Sequence, residues 1–330
     1  MPATPRLLIG IDVGGTKALA GLVNDDLEVL ATSRRPTSGV DGGHLIDLLV
    51  EEVDELRAQA PGEIVAVGLG IPGLLDRQGR VWKAPNLPLE PGTAIGQELA
   101  SRIGLLVASD NDANCAAIAE HAAGAGVGHE DLVLLTVGTG VGGGVIVHDE
   151  PLRGAHGMAA ELGHLTIHAD GRPCIGDCPN LGCLEAEASG TALGRIAGEV
   201  ADEHPGGALA GERQGGTLDG PRVTELAQAG DTEAIEALRR LGVNLGVGMA
   251  SLGNIFDPGL ILVGGGASAA GELLLGPARE TFMARVMPPI AERTEVRLAR
   301  FGNEAGLLGA AVLARRAADG TAGRAAVARP

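Results

Sequence analysis

Two glycine-rich turns, each set between short apolar runs, constrain the fold of this chain more than any other feature. The first turn, Asp12–Lys17, lies between the apolar runs Leu7–Ile11 and Ala18–Val23. The second, Gly138–Gly142, follows the apolar run Leu132–Val137 and precedes another apolar run. Helical stripes and buried-strand patterns come after each hairpin, so one unit occurs twice. The repeat predicts a duplicated α/β architecture whose two turns face a shared cleft.

Composition excludes several classes of partner. The chain has 42 acidic and 25 basic residues, for a net charge of −17, which argues against nucleic acid or an anionic membrane as a partner. Aromatic residues make up only 1%, so a bound sugar must be held by hydrogen bonds rather than by ring stacking. ATP stays compatible with the acidic charge, because converging backbone N–H groups can bind phosphate locally.

The sequence shows neither a targeting segment nor a membrane-spanning segment. The first apolar run is too short for a signal-peptide core, and the longer uncharged stretches are broken by glycine. We therefore expect a cytoplasmic location. Three of the four cysteines fall within ten residues, and in a reducing compartment such a cluster indicates a metal site before a disulfide.

The first glycine turn has the chemistry of a phosphate-binding loop. Adjacent glycines let successive N–H groups converge on an anion, a threonine adds a hydroxyl, and Asp12 at the end of the strand can hold Mg²⁺ through water. The run is not a Walker A loop, because a strand and not a helix follows it. A plain hairpin turn is the alternative. The predicted nucleotide contacts here are Asp12, Gly14, Gly15, Thr16 and Lys17.

The second glycine turn formally matches G-x-G-x-x-G, which occurs in dinucleotide-binding folds. That interpretation requires a helix after the turn, and an extended run follows instead, so we retain only phosphate binding, through Gly138, Thr139 and Gly140. A third glycine run, Gly264–Gly266, follows a buried strand and predicts a close approach to a flat ligand such as adenosine. The alternative for this run is a packing turn.

A cluster of polar residues ends the predicted strand at 105–109. A carboxylate at this position, such as Asp112, can accept the proton of an attacking sugar hydroxyl, and Asn111 offers both a donor and an acceptor. The alternative is an Asx turn that caps the next helix, with Asp110 as the cap.

One histidine and three cysteines form a set that suits zinc. His164 lies ten residues before Cys174, and Cys178 and Cys183 complete a Cys₃His group of the kind found in structural sites. Such a metal would also position Glu185. The alternatives are free thiols and, for the histidine ligand, His168.

Two segments read as irregular. Residues 205–221 are rich in glycine and predict an exposed loop, and the last ten or so residues predict a frayed tail. The domain boundaries expected from the pattern are 1–114 plus 305–330 for a smaller α/β domain, and 115–304 for a larger α/β domain with the zinc-binding loop.

Taken together, the motifs resemble the ROK (repressor, open reading frame, kinase) family of sugar kinases, and within it the bacterial glucokinases. The resemblance runs from Gly10 to about Arg315 with the same order and spacing. The residues that carry it are Gly10–Lys17, Gly70–Gly73, Ala84–Leu87, Asn111–Asn114, Gly138–Gly142, Glu161–His164, the cysteine cluster with Gly182–Glu185, and Asp257-Pro258 ahead of Gly264–Gly266.

The resemblance implies an actin-like ATPase (ribonuclease H-like) fold of two α/β domains flanking a cleft. It implies transfer of the γ-phosphate of ATP to the C6 hydroxyl of glucose at the entry to glycolysis, with Asp112 as catalytic base and a homo-oligomeric protein. The residues implied to bind the sugar are Gly73, Asn86, Asn111, Asp112, Glu161, His164 and Glu185. Those implied to bind zinc are His164, Cys174, Cys178 and Cys183.

The chain departs from the family at the first cysteine pair. The family's usual spacing is Cys-x-Cys-x₄-Cys, whereas here three residues separate Cys174 from Cys178. The family also contains repressors with an N-terminal DNA-binding motif, for which the early first strand leaves no room. Alternatives for the activity are a kinase for another hexose (N-acetylmannosamine, N-acetylglucosamine or fructose), polyphosphate as donor, or a non-catalytic sugar sensor.

Overall fold

The structure is a computed structural model that describes residues 5–85, 87–176, 178–216, 218–323 and 325–330. The strands are β1 (Arg6–Val13), β2 (Lys17–Asn24), β3 (Val29–Pro36), β4 (Glu63–Ile71), β5 (Leu74–Leu75), β6 (Val81–Lys83), β7 (Leu106–Asn111), β8 (Leu132–Val137), β9 (Val141–Val147), β10 (Glu150–Pro151), β11 (Leu260–Gly264), β12 (Glu295–Leu298) and β13 (Ala326–Ala328).

Helices alternate with these strands along much of the chain. They are α1 (Gly42–Gln59), α2 (Ile95–Ile103), α3 (Asp112–Ala123), α4 (Leu184–Ala188), α5 (Gly190–Glu203), α6 (Ala208–Gly215), α7 (Gly220–Gln228), α8 (Thr232–Phe256), α9 (Glu272–Arg285), α10 (Pro288–Ala291) and α11 (Ala305–Ala318), with short 3₁₀ turns at Leu162–His164, Gly266–Ala270 and Gly302–Glu304. No helix of the described ranges is long and apolar enough to cross a membrane.

The chain divides into two compact units. Unit 1 comprises Met1–Val127, Gly144–Ala160 and Glu304–Pro330, and unit 2 comprises Gly128–Gly143 and Glu161–Asn303. The sequence pattern predicted that 115–127 and 144–160 would belong to the second domain, whereas here they group with the first. The physical reason is that α3 packs closely against α11 of unit 1. At the contact, any side chain at position 309 would collide with the carbonyl of Cys115, so only Gly309 fits.

Unit 1 is built on a six-stranded sheet in the order β13-β7-β4-β1-β2-β3. Strands β1, β4 and β7 run parallel, and β2 and β3 extend the sheet in antiparallel fashion. Helix α11 packs against β1 and β4, and glycine in these strands allows the approach. A Cβ at Gly68 would lie 1.7 Å from the carbonyl oxygen of Ala310, and one at Gly10 would lie 2.1 Å from that of Leu307.

Strands β8 to β12 form a second sheet, in the order β10-β9-β8-β11-β12, and the division between the units falls within β9. Strands β8, β11 and β12 run parallel. In unit 2 the long helix α8 packs against α5, α7 and α9. Both glycine turns therefore sit where the sequence predicted them, at the tips of β1–β2 and β8–β9.

Two predictions of irregular structure were wrong. The 205–221 segment contains helix α6 and the start of α7, because Leu209 and Ala210 are buried and Asp219 caps α7 by accepting a hydrogen bond from the N–H of Arg222. The predicted frayed tail contains β13, which pairs antiparallel with β7 and so satisfies the backbone of an otherwise unpaired sheet edge.

Candidate active site

The first glycine turn is held by its own backbone and by Thr37. The N–H of Gly14 donates to the carbonyl of Lys17 at 2.8 Å, and the Thr37 hydroxyl and N–H donate to the carbonyls of Gly14 and Thr16 at 2.6 and 3.0 Å. Within the described ranges, the N–H groups of Gly15 and Thr16 find no protein acceptor. The turn thus presents two free backbone donors, as a phosphate-binding loop requires.

Asp12 lies one residue before the end of β1, opposite Gly70 on the neighbouring parallel strand. The first turn of α11 lies against its carboxylate, where a Cβ on Gly306 would lie only 2.6 Å from Cγ. Burial raises the pKa of Asp12 to about 7, the negative charge of Asp112 adds to the rise, and Lys17 lowers it. Two carboxylates therefore come together within unit 1, one from β1 and one from the start of α3.

Asp112 is the first residue of α3, directly after β7 ends. Burial raises its pKa above the ordinary range, and the backbone N–H of Ala113, which donates to Oδ1 at 2.9 Å, opposes that rise. Asn111 is the N-cap and accepts from the N–H groups of Ala113 and Asn114. The predicted Asx cap therefore exists, but the cap is Asn111 and not Asp110.

Asn111 also links this turn to a second predicted sugar-binding residue. Its Nδ2 donates to the carbonyl of Gly73 at 3.1 Å. Gly73 has a φ of +109°, and a Cβ there would lie 1.9 Å from the carbonyl oxygen of Lys83, so only glycine fits. The structure thus brings Gly73, Asn111 and Asp112 together, whereas Asn86 lies outside the described residues.

The second glycine turn is anchored differently, by groups from α4 and α5. The N–H of Val141 donates to Oε2 of Glu185 at 2.9 Å, the N–H of Gly190 donates to the carbonyl of Gly138 at 2.7 Å, and the hydroxyl of Thr191 donates to the carbonyl of Thr139 at 2.8 Å. In the described part of the chain, the N–H groups of Thr139 and Gly140 lack a protein acceptor. Like the first turn, this one presents two adjacent free donors.

A cavity of about 850 Å³ opens beside the second turn, inside unit 2. Its size falls within the ~300–1,000 Å³ usual for small-molecule sites. The residues that line it include Gly138, Thr139, Gly190, Thr191, Gly220 and Gly266. The cavity brings the second turn together with the third glycine run and with the N-termini of α5 and α7, which favour anions.

The three glycines Gly264–Gly266, which end β11 and follow it, have different surroundings. Gly266 lines the cavity, and nothing would obstruct a Cβ there. Gly265 has a φ of +80°, and a Cβ on it would lie 2.6 Å from the carbonyl oxygen of Val137, while one on Gly264 would lie 3.1 Å from the Cβ of Ala299. Gly264 and Gly265 thus allow close packing between strands, which was the alternative interpretation of this run.

The cysteine cluster assembles as its spacing predicted. One ligand atom from each of His164, Cys174, Cys178 and Cys183 lies within 4.8 Å of all the others. Nδ1 of His164 is 3.4 Å from Sγ of Cys174, and the Sγ atoms of Cys178 and Cys183 are 3.9 Å apart. In a tetrahedral site with Zn–S distances of about 2.3 Å, sulfurs lie about 3.8 Å apart, so the group fits zinc. The rival ligand, His168, lies outside the group.

His164 faces two ways. Its Nδ1 points to the sulfur group, and its Nε2 lies 4.0 Å from Oε2 of Glu161. Glu185 is shared in a similar manner, since Oε1 lies 3.8 Å from Sγ of Cys174 while Oε2 holds the second glycine turn. Burial and the neighbouring thiols raise the pKa of Cys174 above its ordinary value. The cluster therefore connects to both predicted sugar-binding carboxylates of unit 2.

Sequence reasoning missed the residues that α5 and α7 contribute to the cavity. Ser189 caps α5 by accepting from the N–H of Ala192, and Asp219 followed by Pro221 begins α7. Both are recognised helix-start signals, and helix N-termini are frequent anion sites. The glycine-rich composition of 205–221 obscured the second signal.

Comparison with known proteins identifies the family. A model of the ROK family matches residues 8–317. The chain is 38% identical to a glucokinase of Streptomyces coelicolor, covering 94% of this chain and 98% of that one, and 37% identical to a glucokinase of Thermotoga maritima, covering 96% and 100%. It also matches the crystal structure of a ROK family glucokinase from Streptomyces griseus in complex with glucose and AMPPNP, with a TM-score of 0.81, 36% identity, and coverage of 94% of this chain and 99% of that one.

This chain therefore belongs to the ROK family. The predicted fold class, a duplicated α/β fold of the actin-like ATPase type, is confirmed by the structural match and by the two mixed sheets with their packed helices.

Proposed function

We propose that the protein is an ATP-dependent glucokinase, a hexokinase-type phosphotransferase that moves the γ-phosphate of ATP to the C6 hydroxyl of glucose. The observation that carries this proposal is the similarity over nearly the whole chain to glucokinases, one of them bound to glucose and an ATP analogue. The buried carboxylate of Asp112 at the end of β7 supports the same reaction, because phosphoryl transfer to a sugar needs a base for the hydroxyl proton.

Asp112 is the general base of this proposal. It takes the proton of the C6 hydroxyl as that oxygen bonds to the γ-phosphorus and the bond from phosphorus to the ADP oxygen breaks. The raised pKa of Asp112 favours this role, because a more basic carboxylate holds the proton better. Asn111 lies beside it, and its side-chain amide is bonded to the carbonyl of Gly73. These amide and carbonyl groups can form hydrogen bonds with sugar hydroxyls and so position them.

Three other side chains belong to the proposed sugar contacts. Glu161, His164 and Glu185 offer two carboxylates and a ring nitrogen, which suit the vicinal hydroxyls of a hexose. The bonds that hold Glu185 to the second turn and that place His164 at the cysteine group would fix these acceptors before the sugar arrives. Prior fixing of acceptors lowers the entropic cost of sugar binding.

The nucleotide contacts are proposed for the two glycine turns and the cavity. The N–H groups of Gly15, Thr16, Thr139 and Gly140, which have no acceptor among the described residues, can donate to phosphate oxygens, and the cavity can hold the nucleoside part of ATP. Lys17 adds a positive charge beside the first turn. Mg²⁺ would supply charge neutralisation on the phosphates, and Asp12 is the residue proposed to hold it through water.

We further propose a structural zinc ion on His164, Cys174, Cys178 and Cys183. The distances between the ligand atoms support a closed four-ligand site, which is typical of structural and not catalytic zinc. The longer spacing between the first two cysteines does not separate their sulfurs from the group. A cytoplasmic, homodimeric or tetrameric enzyme that feeds glucose into glycolysis completes the proposal.

The experiment is a coupled assay of ADP release with MgATP and five sugars, namely glucose, mannose, fructose, N-acetylglucosamine and N-acetylmannosamine. We expect turnover with glucose to exceed that with the others. Activity with a different sugar would keep the reaction and move the substrate. Silence with every sugar, in zinc-replete protein, would contradict the kinase assignment. Formation of glucose 6-phosphate with polyphosphate in place of ATP tests the donor, because that reaction releases no ADP.

A further inference from the structure

A buried ion pair lies directly behind the turn that carries Asp112. Asp110 and Arg153 are only 5% and 7% exposed. Both Nε of Arg153 and one of its terminal nitrogens lie 2.7 Å from the same oxygen, Oδ2 of Asp110. Arg153 comes from the segment that follows β10, which is remote in sequence but belongs to the same unit as β7.

The other oxygen of Asp110 faces the turn itself. Oδ1 accepts from the N–H of Asn111 at 2.8 Å and from Nδ2 of Asn114 at 2.9 Å. These donors lie on either side of Asp112 in the chain. The guanidinium thus holds one oxygen while the other holds both flanks of the catalytic turn.

We propose that Arg153 is a positioning residue, which acts through Asp110 to hold Asn111 and Asp112 in the reactive geometry. The inference rests on the proposed function and assigns a further residue to the same site. A buried carboxylate requires a partner, because desolvation without one is costly. Without Arg153, the Asp110 carboxylate must turn toward other donors or toward water, and either movement releases the N–H of Asn111 and the side chain of Asn114.

The primary test is Arg153→Met, assayed for kcat and for both KM values. Misplacement of a reacting group by about 1 Å can cost about 100-fold, so we expect a fall in kcat of about 10- to 100-fold. KM for glucose should rise several-fold, because Asn111 and Asp112 also contact the sugar. KM for ATP should change by less than about twofold, because neither Asp110 nor the residues that it holds, Asn111 and Asn114, belong to the proposed nucleotide contacts.

The matched control is Arg213→Met, which removes an arginine paired at 2.6 Å with Asp202 on the surface. We expect it to keep kcat and both KM values. A merely structural role for Arg153 would lower the fraction of active enzyme, so that the apparent kcat falls while both KM values stay the same. That pattern would overturn the proposal.

A double-variant cycle tests the route through Asp110. Asp110→Asn removes the buried charge but keeps an oxygen for the N–H of Asn111. If Arg153 acts through this carboxylate, Arg153→Met combined with Asp110→Asn will recover at least part of the kcat lost in Arg153→Met alone. Losses that multiply independently would overturn the proposal.

Arg153→Lys covers the case in which Arg153→Met does not fold. It keeps the charge but loses the two-nitrogen contact, so we expect an intermediate kcat and a raised KM for glucose. Parental kinetics in this variant would overturn the proposal. Failure of the proposed function is a separate result, since the parent enzyme itself would then be inactive with every sugar. Normal kinetics of these variants in an active parent would refute only the role of Arg153.

Discussion

The two glycine turns of this chain look alike in sequence and differ in what surrounds them. Each joins two antiparallel strands and presents two adjacent N–H groups that have no protein acceptor among the residues that the structure describes. The first turn is held by its own backbone and by Thr37, and the carboxylate of Asp12 lies beside it, close to that of Asp112. The second is held by Glu185 and by the start of α5, and it borders a large cavity.

The difference indicates that the two units offer different chemical groups to the proposed reaction. Unit 1 collects buried carboxylates whose pKa values are raised, which suits proton transfer and metal binding. Unit 2 collects backbone donors, helix N-termini and a cavity, which suit the binding of a nucleotide. The two turns have similar backbones, and the side chains and helices around each turn differ in the chemistry that they offer.

The largest effect should come from the replacement of Asp112, the proposed general base in unit 1. Asp112→Asn keeps the shape of the side chain and removes the base, so kcat should fall by at least about 100-fold while glucose still binds. Turnover by coupled assay and glucose affinity by calorimetry measure the two quantities. Near-normal turnover would show that Asp112 is not the base, and proton transfer would then no longer be assigned to unit 1.

A smaller effect should come from the cysteine group of unit 2. The purified protein should contain about one zinc ion per chain, and Cys178→Ser should lose it. We expect glucose turnover to fall at least about 10-fold, because the group places His164 and contacts Glu185. Elemental analysis gives the metal content, and Cys115→Ala, which changes a buried thiol outside the group, should retain it. Metal-free parent protein would return the cluster to free thiols.

The second turn itself can be tested with a pair of alanine substitutions. A Cβ at Gly140 would lie 2.2 Å from Oε2 of Glu185, whereas one at Gly138 meets nothing within 4 Å. Gly140→Ala should displace Glu185 and raise KM for glucose by roughly 10-fold. Gly138→Ala should leave KM for glucose unchanged. Equal effects of the two substitutions would show that Glu185 does not connect this turn to the sugar.

The smallest expected effect concerns stability, again in unit 1. Glu52 on α1 is fully buried, and burial raises its pKa from 4.5 to about 8, with Arg35 opposing the rise. Between these two pH values the folded chain keeps a proton that the unfolded chain has lost, so the free energy of unfolding should fall as pH rises. Glu52→Gln should flatten this dependence and raise Tm by roughly 2–4 °C near pH 8.

Thermal melts between about pH 5 and pH 8 measure that slope. The control is Glu51→Gln, since Glu51 lies on the same helix with its side chain 63% exposed. It should keep the parental slope. A slope that persists in Glu52→Gln would assign the pH dependence to other groups.

Local patterns predicted a large share of this molecule. The strand–turn–strand units, the cysteine group with His164, and the placement of Asp112 after a buried strand could all be read from short windows, because turn chemistry and alternation of apolar residues act locally. The cap of α3 was misassigned by one residue, since Asp110 and Asn111 both have capping side chains. Oδ2 of Asp110 is held by the tertiary contact with Arg153, which no local pattern reveals.

Tertiary contacts also decided the features that local patterns predicted wrongly. Within the glycine-rich 205–221 segment, Ala208–Gly215 form a helix because Leu209 and Ala210 become buried. Ala326–Ala328 form a strand because the edge of β7 is available for pairing. The sequence by itself determined which backbone conformations the turns could adopt and which side chains were available to bind a metal or a substrate. Contacts between residues distant in sequence, whose free energy comes from burial and pairing, decided the rest. They decided which backbone N–H groups of the described residues have no protein acceptor and which carboxylates are buried away from water. They also decided which glycines border the cavity and which allow neighbouring segments to pack closely.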